Sequence, residues 1–129
     1  MTLTISPVYA AILVAWFLVL SVRVITYRRA NRIAYGDDGN KWFIARIRAQ
    51  ANFAEYAPVG IILLALIDLQ GVPAIWLHLC GVTLTLGRLL HGLGLSFLPR
   101  QLNLRVAGMA LTLVALALGA AINLIAAIF

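Results

Sequence analysis

The sequence predicts an all-α integral membrane protein, an up-down bundle of four membrane-spanning helices. Three observations carry this. Of 129 residues, 64% are hydrophobic and only 11% are charged, giving a mean hydropathy of +1.01. A soluble domain this small keeps a large share of its surface in water and cannot hide that much apolar area, so the remainder must face lipid. The apolar residues fall in four runs, each long enough to cross hydrocarbon, which takes ~20 helical residues. Finally, the ten Lys and Arg residues cluster around the first and third connections between these runs, and the second connection and both termini carry none.

The first helix is expected from about Ile5 to Tyr27. No basic segment precedes it and the chain returns to the membrane afterwards, which fits a span rather than a cleaved signal peptide. Tyr35-Gly36-Asp37-Asp38-Gly39-Asn40 is a turn-rich linker. The second helix, Lys41 to Leu69, begins polar and turns apolar from Phe53. Pro58 lies inside it and is expected to kink it and to free the Ala54 carbonyl, which a membrane bundle tolerates when neighbours satisfy the group. Gln70-Gly71-Val72-Pro73 makes a tight connection, with Pro73 suited to the first turn of a third helix running to about Leu98. Pro99 ends that helix, and Asn103 is a candidate N-cap for a fourth, Leu104 to Phe129. Helices are required because open sheet edges cannot be satisfied in hydrocarbon, and the runs lack the alternation of a barrel. The whole chain, 1–129, reads as one domain.

The basic residues orient the bundle. Arg23, Arg28, Arg29, Arg32, Lys41, Arg46 and Arg48 surround the first loop, and Arg88, Arg100 and Arg105 the third. The positive-inside rule puts both loops in the cytoplasm and both termini on the other side, which an even helix count requires. With the charge of +6 beside apolar spans, the expected partners are anionic headgroups or small anions rather than nucleic acid. Cys80 is the sole cysteine, excluding an intramolecular disulfide, and reads as a small buried hydrophobe.

Charges inside spans are costly and normally face the bundle interior, a partner or a wet cavity. On the second helix Arg48, Asn52 and Glu55 share a face at i, i+4, i+7. On the third, Arg88 and His91 lie one turn apart. On the fourth, Arg105 shares a face with Gly108, Thr112, Ala115, Gly119 and Asn123, a small-residue stripe suited to close packing in lipid, which turns Arg105 into the bundle. Surplus arginines with one carboxylate, one amide and one imidazole favour an anion, and planar guanidinium suits carboxylates. Glu55 is suited to an ammonium group. The plainer alternatives are an Arg48–Glu55 structural ion pair, an internally satisfied His91, and snorkelling topology determinants at Arg23, Arg29, Arg32, Lys41, Arg46 and Arg100. His78 and His91 are too far apart in sequence to suggest a metal cluster, and no metal site is expected.

The segment Arg48-Ala49-Gln50-Ala51-Asn52-Phe53-Ala54-Glu55-Tyr56-Ala57-Pro58 resembles the signature of the MAPEG family, the membrane-associated proteins of eicosanoid and glutathione metabolism. Gly87-Arg88-Leu89-Leu90-His91 is similar to the family's third helix, Asn103-Leu104-Arg105 to the start of its fourth, and Arg32 to Gly39 to the first loop of small bacterial members. The resemblance implies a homotrimer in a bacterial inner membrane, with glutathione as cosubstrate bound between subunits and a lipophilic electrophile arriving through lipid into a cleft between the first and fourth helices. It implies glutathione-binding roles for Arg48, Gln50, Asn52, Glu55, Tyr56, Arg88 and His91. It also implies a catalytic role for Arg105 in stabilising the thiolate, and a basic residue from the end of a neighbour's first helix, best matched by Arg28 and next by Arg23. Leu95 stands where several members have tyrosine, so this position offers no hydroxyl. The activity implied is a glutathione-dependent transferase or peroxidase. The rival from another class is a non-catalytic lipid- or thiol-binding protein of the same fold.

Overall fold

The computed structural model describes residues 2–97 and 101–129. Four helices, each long and apolar enough to cross a membrane, make up almost all of it: α1 Ser6–Asn31, α2 Lys41–Leu69, α3 Ala74–Gly92 and α4 Leu102–Ile128. A π-helical turn, Leu93–Phe97, extends α3, and such wide turns cluster at functional sites. Leu98, Pro99 and Arg100, to which the end of the third helix and a topology charge were assigned, lie outside the described residues.

The boundaries of α2 match expectation, because both ends carry strong local signals. Asn40 accepts from the Trp42 and Phe43 amides at 2.9 and 3.1 Å as N-cap, and Gly71 turns the chain at φ +69°. The helix also continues through Pro58. Three expectations need correction. The first helix runs a turn past Tyr27, to Asn31, because Arg32 takes a left-handed φ of 56° and returns its amide to the last-turn carbonyls. Pro73 precedes α3 rather than filling its first turn, and its carbonyl accepts from Trp76. Asn103 is not an N-cap: α4 starts at Leu102 after Gln101, and no side chain caps it.

Packing follows composition. The interior side chains include Leu13, Leu20, Phe53, Leu64, Ile67, Leu77 and Leu84, while Val8, Val14, Leu18, Val22, Ile62 and Leu124 remain exposed as a lipid-facing surface would. α3 and α4 are the most intimate pair, α1 packs on α2 and α3, and α1 barely touches α4. The buried residues of α4 are Gly108, Thr112, Ala115 and Gly119, the stripe anticipated from sequence. Where α3 crosses α4, Gly87 and Gly108 meet: a Cβ on Gly108 would strike the His91 amide and stand 2.7 Å from the Gly87 carbonyl oxygen. Cys80 is buried and free.

At the end of the bundle away from the basic residues, Asp68 of α2 closes over the start of α1. Its carboxylate accepts from the backbone amides of Thr4, Ile5 and Ser6, each at 2.9 Å, and from the Thr4 and Ser6 hydroxyls at 3.1 and 2.8 Å. The first turn of a helix leaves amides without partners, and here a neighbouring helix supplies the cap together with a negative charge that suits the positive helix end. Asp68→Ala is expected to lose about 2 kcal/mol, and Asp68→Asn about half of that, because one carbonyl oxygen survives. Thermal unfolding in detergent checks both.

Candidate functional site

The site lies at the basic end and is assembled from α2, α3, the π turn and α4. On α2, Lys41, Ile44, Ala45, Arg48 and Asn52 form a stripe at helical spacing and make one wall. His91 in the last turn of α3, Leu95 of the π turn and Arg105 in the first turn of α4 make the others, enclosing about 300 Å³. Arg105 reaches this place because Gly94 lets the start of α4 come close: a Cβ there would lie 3.0 Å from the Arg105 amide nitrogen. His91 is 8% exposed, whereas Arg48 and Arg105 are exposed within a single chain.

Behind this cavity lies Arg88, 1% exposed. Its Nε donates to the Thr112 hydroxyl at 2.9 Å and its Nη1 to Asn52 Oδ1 at 2.8 Å. Nη2 points at Met109 Sδ at 3.7 Å, and the guanidinium carbon sits 5.5 Å from the centre of the Tyr56 ring. These partners are all neutral. Arg88 is thus a buried cation that orients the Asn52 amide at the edge of the cavity, and it crosslinks α2, α3 and α4. The Trp16 indole N–H donates to the Arg88 carbonyl at 3.2 Å, adding α1.

Of the residues singled out in the sequence, the structure gathers Arg48, Asn52, His91 and Arg105 on one cavity and places Arg88 directly behind it. The others do not line it. Gln50 donates to the Ser21 hydroxyl at 3.1 Å, since two residues along a helix turn it roughly 200° from Arg48 and toward α1. Tyr56 lies under Arg88. Glu55 shares the Arg48 face but sits roughly 10 Å further along the axis, exposed and off the cavity. Arg28 donates to the Gly36 carbonyl at 2.9 Å and covers Phe43. Arg105 turns toward the cavity between α2 and α3 and stays exposed within a single chain. Two residues counted among the topology charges also make contacts at this end of the bundle, Lys41 exposed at the start of α2 and Arg23 half-buried on α1. Lys41 lines the cavity, and its i, i+7 spacing to Arg48 was the available signal. Arg23 is tied to Ser96, a contact across 73 positions that leaves no trace in the local pattern.

A cavity lined by guanidinium, ammonium, imidazole and amide groups, with no carboxylate in its wall among the described residues, has the chemistry to suit an anion. A larger cavity of about 520 Å³ at the opposite end, between Gln70, Trp76, Leu118 and Ile122, has no charged group in its lining among the described residues.

Comparison with known proteins agrees with the signature. The model of the MAPEG family matches residues 6–125. The chain is 34% identical over 120 residues to the inner membrane protein YecN of Escherichia coli K12, covering 93% of this chain and 90% of that protein. The YecN protein of Escherichia coli O6:H1 matches to the same extent. No solved structure matches.

Proposed function

The chain belongs to the MAPEG family, a family of four-helix membrane bundles, and from that premise we propose that it is a glutathione-dependent transferase or peroxidase acting on lipophilic electrophiles. The observation that carries this reading is the convergence of Arg48, Asn52, His91 and Arg105 on one carboxylate-free cavity. Glutathione has two carboxylates, one ammonium and a thiol. Arg48 and Lys41 suit a carboxylate, the Asn52 amide held by Arg88 suits a peptide group, and Glu55 further along α2 suits the ammonium.

Arg105 supplies the chemistry. A cation beside a thiol favours the thiolate, which is the nucleophile. In the transferase reaction the thiolate sulfur forms a bond to the electrophilic carbon, and the leaving group departs with its electron pair. Arg48, Glu55 and Arg105 are exposed in a single chain, yet they lie in helices long and apolar enough to span. Charges at such positions are normally covered by protein or water rather than lipid, which supports a homotrimer whose neighbour closes the site and brings Arg28. Because α1 barely touches α4 within one chain, a substrate cleft between these helices forms between subunits. The basic end faces the cytoplasm of an inner membrane, in keeping with the charge distribution and with the name of the Escherichia coli relatives.

Purified protein is expected to conjugate glutathione to a chlorinated aromatic electrophile, with Arg105→Ala slowing turnover on the order of 100-fold. No rate above background, or a variant equal to wild type, would refute the reading. One observation favours a second reading. Leu95 lines the cavity without a hydroxyl, which suits a protein that binds a thiol or lipid without turnover. Calorimetry showing tight glutathione binding with no conjugation would select it.

A further inference from the structure

A second basic pocket opens beside the first. It encloses about 170 Å³ between α1, α2 and the π turn, and Arg23, Trp42, Arg46, Ser96 and Phe97 line it. Leu95 and Ala45 line both pockets and stand between them. Both arginines are held. Arg23 donates from Nε to the Ser96 hydroxyl at 3.2 Å and from Nη2 to the Ser96 carbonyl at 2.9 Å, and its guanidinium lies 3.7 Å from the centre of the Phe97 ring. Arg46 lies 5.0 Å over Tyr27, whose ring is stacked on Phe43 at 4.4 Å. No carboxylate lines the pocket among the described residues.

Two like charges fixed in one small pocket repel each other unless an anion lies between them. An arginine that only sets topology snorkels on a free side chain, whereas Arg23 is fixed by two hydrogen bonds to Ser96 and Arg46 rests on the Tyr27 ring, so less entropy is lost when an anion binds. The surroundings identify its source. Trp42, half exposed in the first turn of α2, is the amphipathic ring that marks a headgroup level. Val19, one turn along α1 from Arg23 on the same face, is exposed and apolar, and offers a track for an acyl chain leading away from the pocket. The geometry points to a binding site for an anionic phospholipid, with the headgroup phosphate held between Arg23 and Arg46 and separate from the cavity around Arg105.

Native mass spectrometry of the protein in detergent, offered equal phosphatidylglycerol and phosphatidylcholine, tests this. Wild type retains phosphatidylglycerol preferentially, and Arg23→Gln with Arg46→Gln abolishes the preference, at about five-fold for each arginine. Arg29→Gln with Arg32→Gln, which removes exposed charge at the end of α1, leaves the preference intact. Arg46→Gln alone, which leaves the Ser96 bonds of Arg23 in place, weakens retention even if the double variant does not fold. Equal retention of the two lipids by wild type overturns the proposal, as does an equal loss in the Arg29/Arg32 variant, which would indicate diffuse charge. Displacement of the lipid by millimolar inorganic phosphate overturns the lipid source, and persistence of the lipid under those conditions supports it.

Discussion

Gly108→Ala is expected to force α3 and α4 apart and to lower the melting temperature in detergent by roughly 10 °C, from a loss of about 3 kcal/mol. The three atoms nearest the added methyl are all backbone of α3, the His91 amide and Cα and the Gly87 carbonyl oxygen, and backbone cannot rotate away as a side chain can. The clash falls on the His91 backbone, and Gly108 lies one turn of α4 from Arg105, so the two cavity residues are expected to move apart and any glutathione conjugation to fall with stability. Gly119→Ala is the internal comparison. A methyl there stands 3.4 Å from Leu63 Cβ and 3.6 Å from its Cδ1, and the change is expected to stay within about 0.5 kcal/mol. Equal losses in the two variants would mean that the crossing at Gly87 and Gly108 is not the tight point of the bundle.

Arg88→Ala is expected to cost about 4 kcal/mol, by emptying the space of a fully buried side chain and leaving Asn52 Oδ1 without its donor. Arg88→Met refills most of that volume with apolar atoms and removes a cation whose bonded partners among the described residues are neutral. Exchanging buried charge for packed hydrocarbon is often neutral, so the methionine variant should recover more than half of the loss. It should still bind glutathione poorly, because Asn52 loses the bond that aims its amide. Thermal unfolding paired with calorimetric titration separates the two effects. Equal destabilisation by alanine and methionine would show that the guanidinium bonds, not the volume, hold this region together.

The architecture was readable because its determinants are local. Apolar runs give the spans, Asn40 and Gly71 bound α2, and the periodic stripe from Gly108 to Gly119 gives the packed face of α4. The cavity residues are readable for two reasons: Arg48 and Asn52 follow helical spacing, and His91 and Arg105 are polar residues within apolar spans, which the family resemblance joins to them. What escaped depends on distance. The end of α1 depends on a left-handed Arg32. Gln50 and Tyr56 share the signature, but the helix turns them to other neighbours. A count of basic residues carries no direction, so it gives neither the place of Lys41 on the cavity nor the bonds of Arg23 to Ser96. The partners of Asp68 lie 62 to 64 positions away, and nothing in its own neighbourhood names them.

The Asp68 clasp has a consequence for the order of assembly. All of its atoms lie within the first 68 residues, and the same stretch contains the Gln50–Ser21 bond and the stacked pairs Phe17–Phe53 and Tyr27–Phe43. The first two helices can therefore lock as a hairpin while the ribosome is still making the third. α3 and α4, notched together by Gly87 and Gly108, form the second hairpin, and Arg88 reaching Asn52 is a bolt between the two. The anion cavity falls on that seam, so it exists only once both halves of the chain have been made and joined.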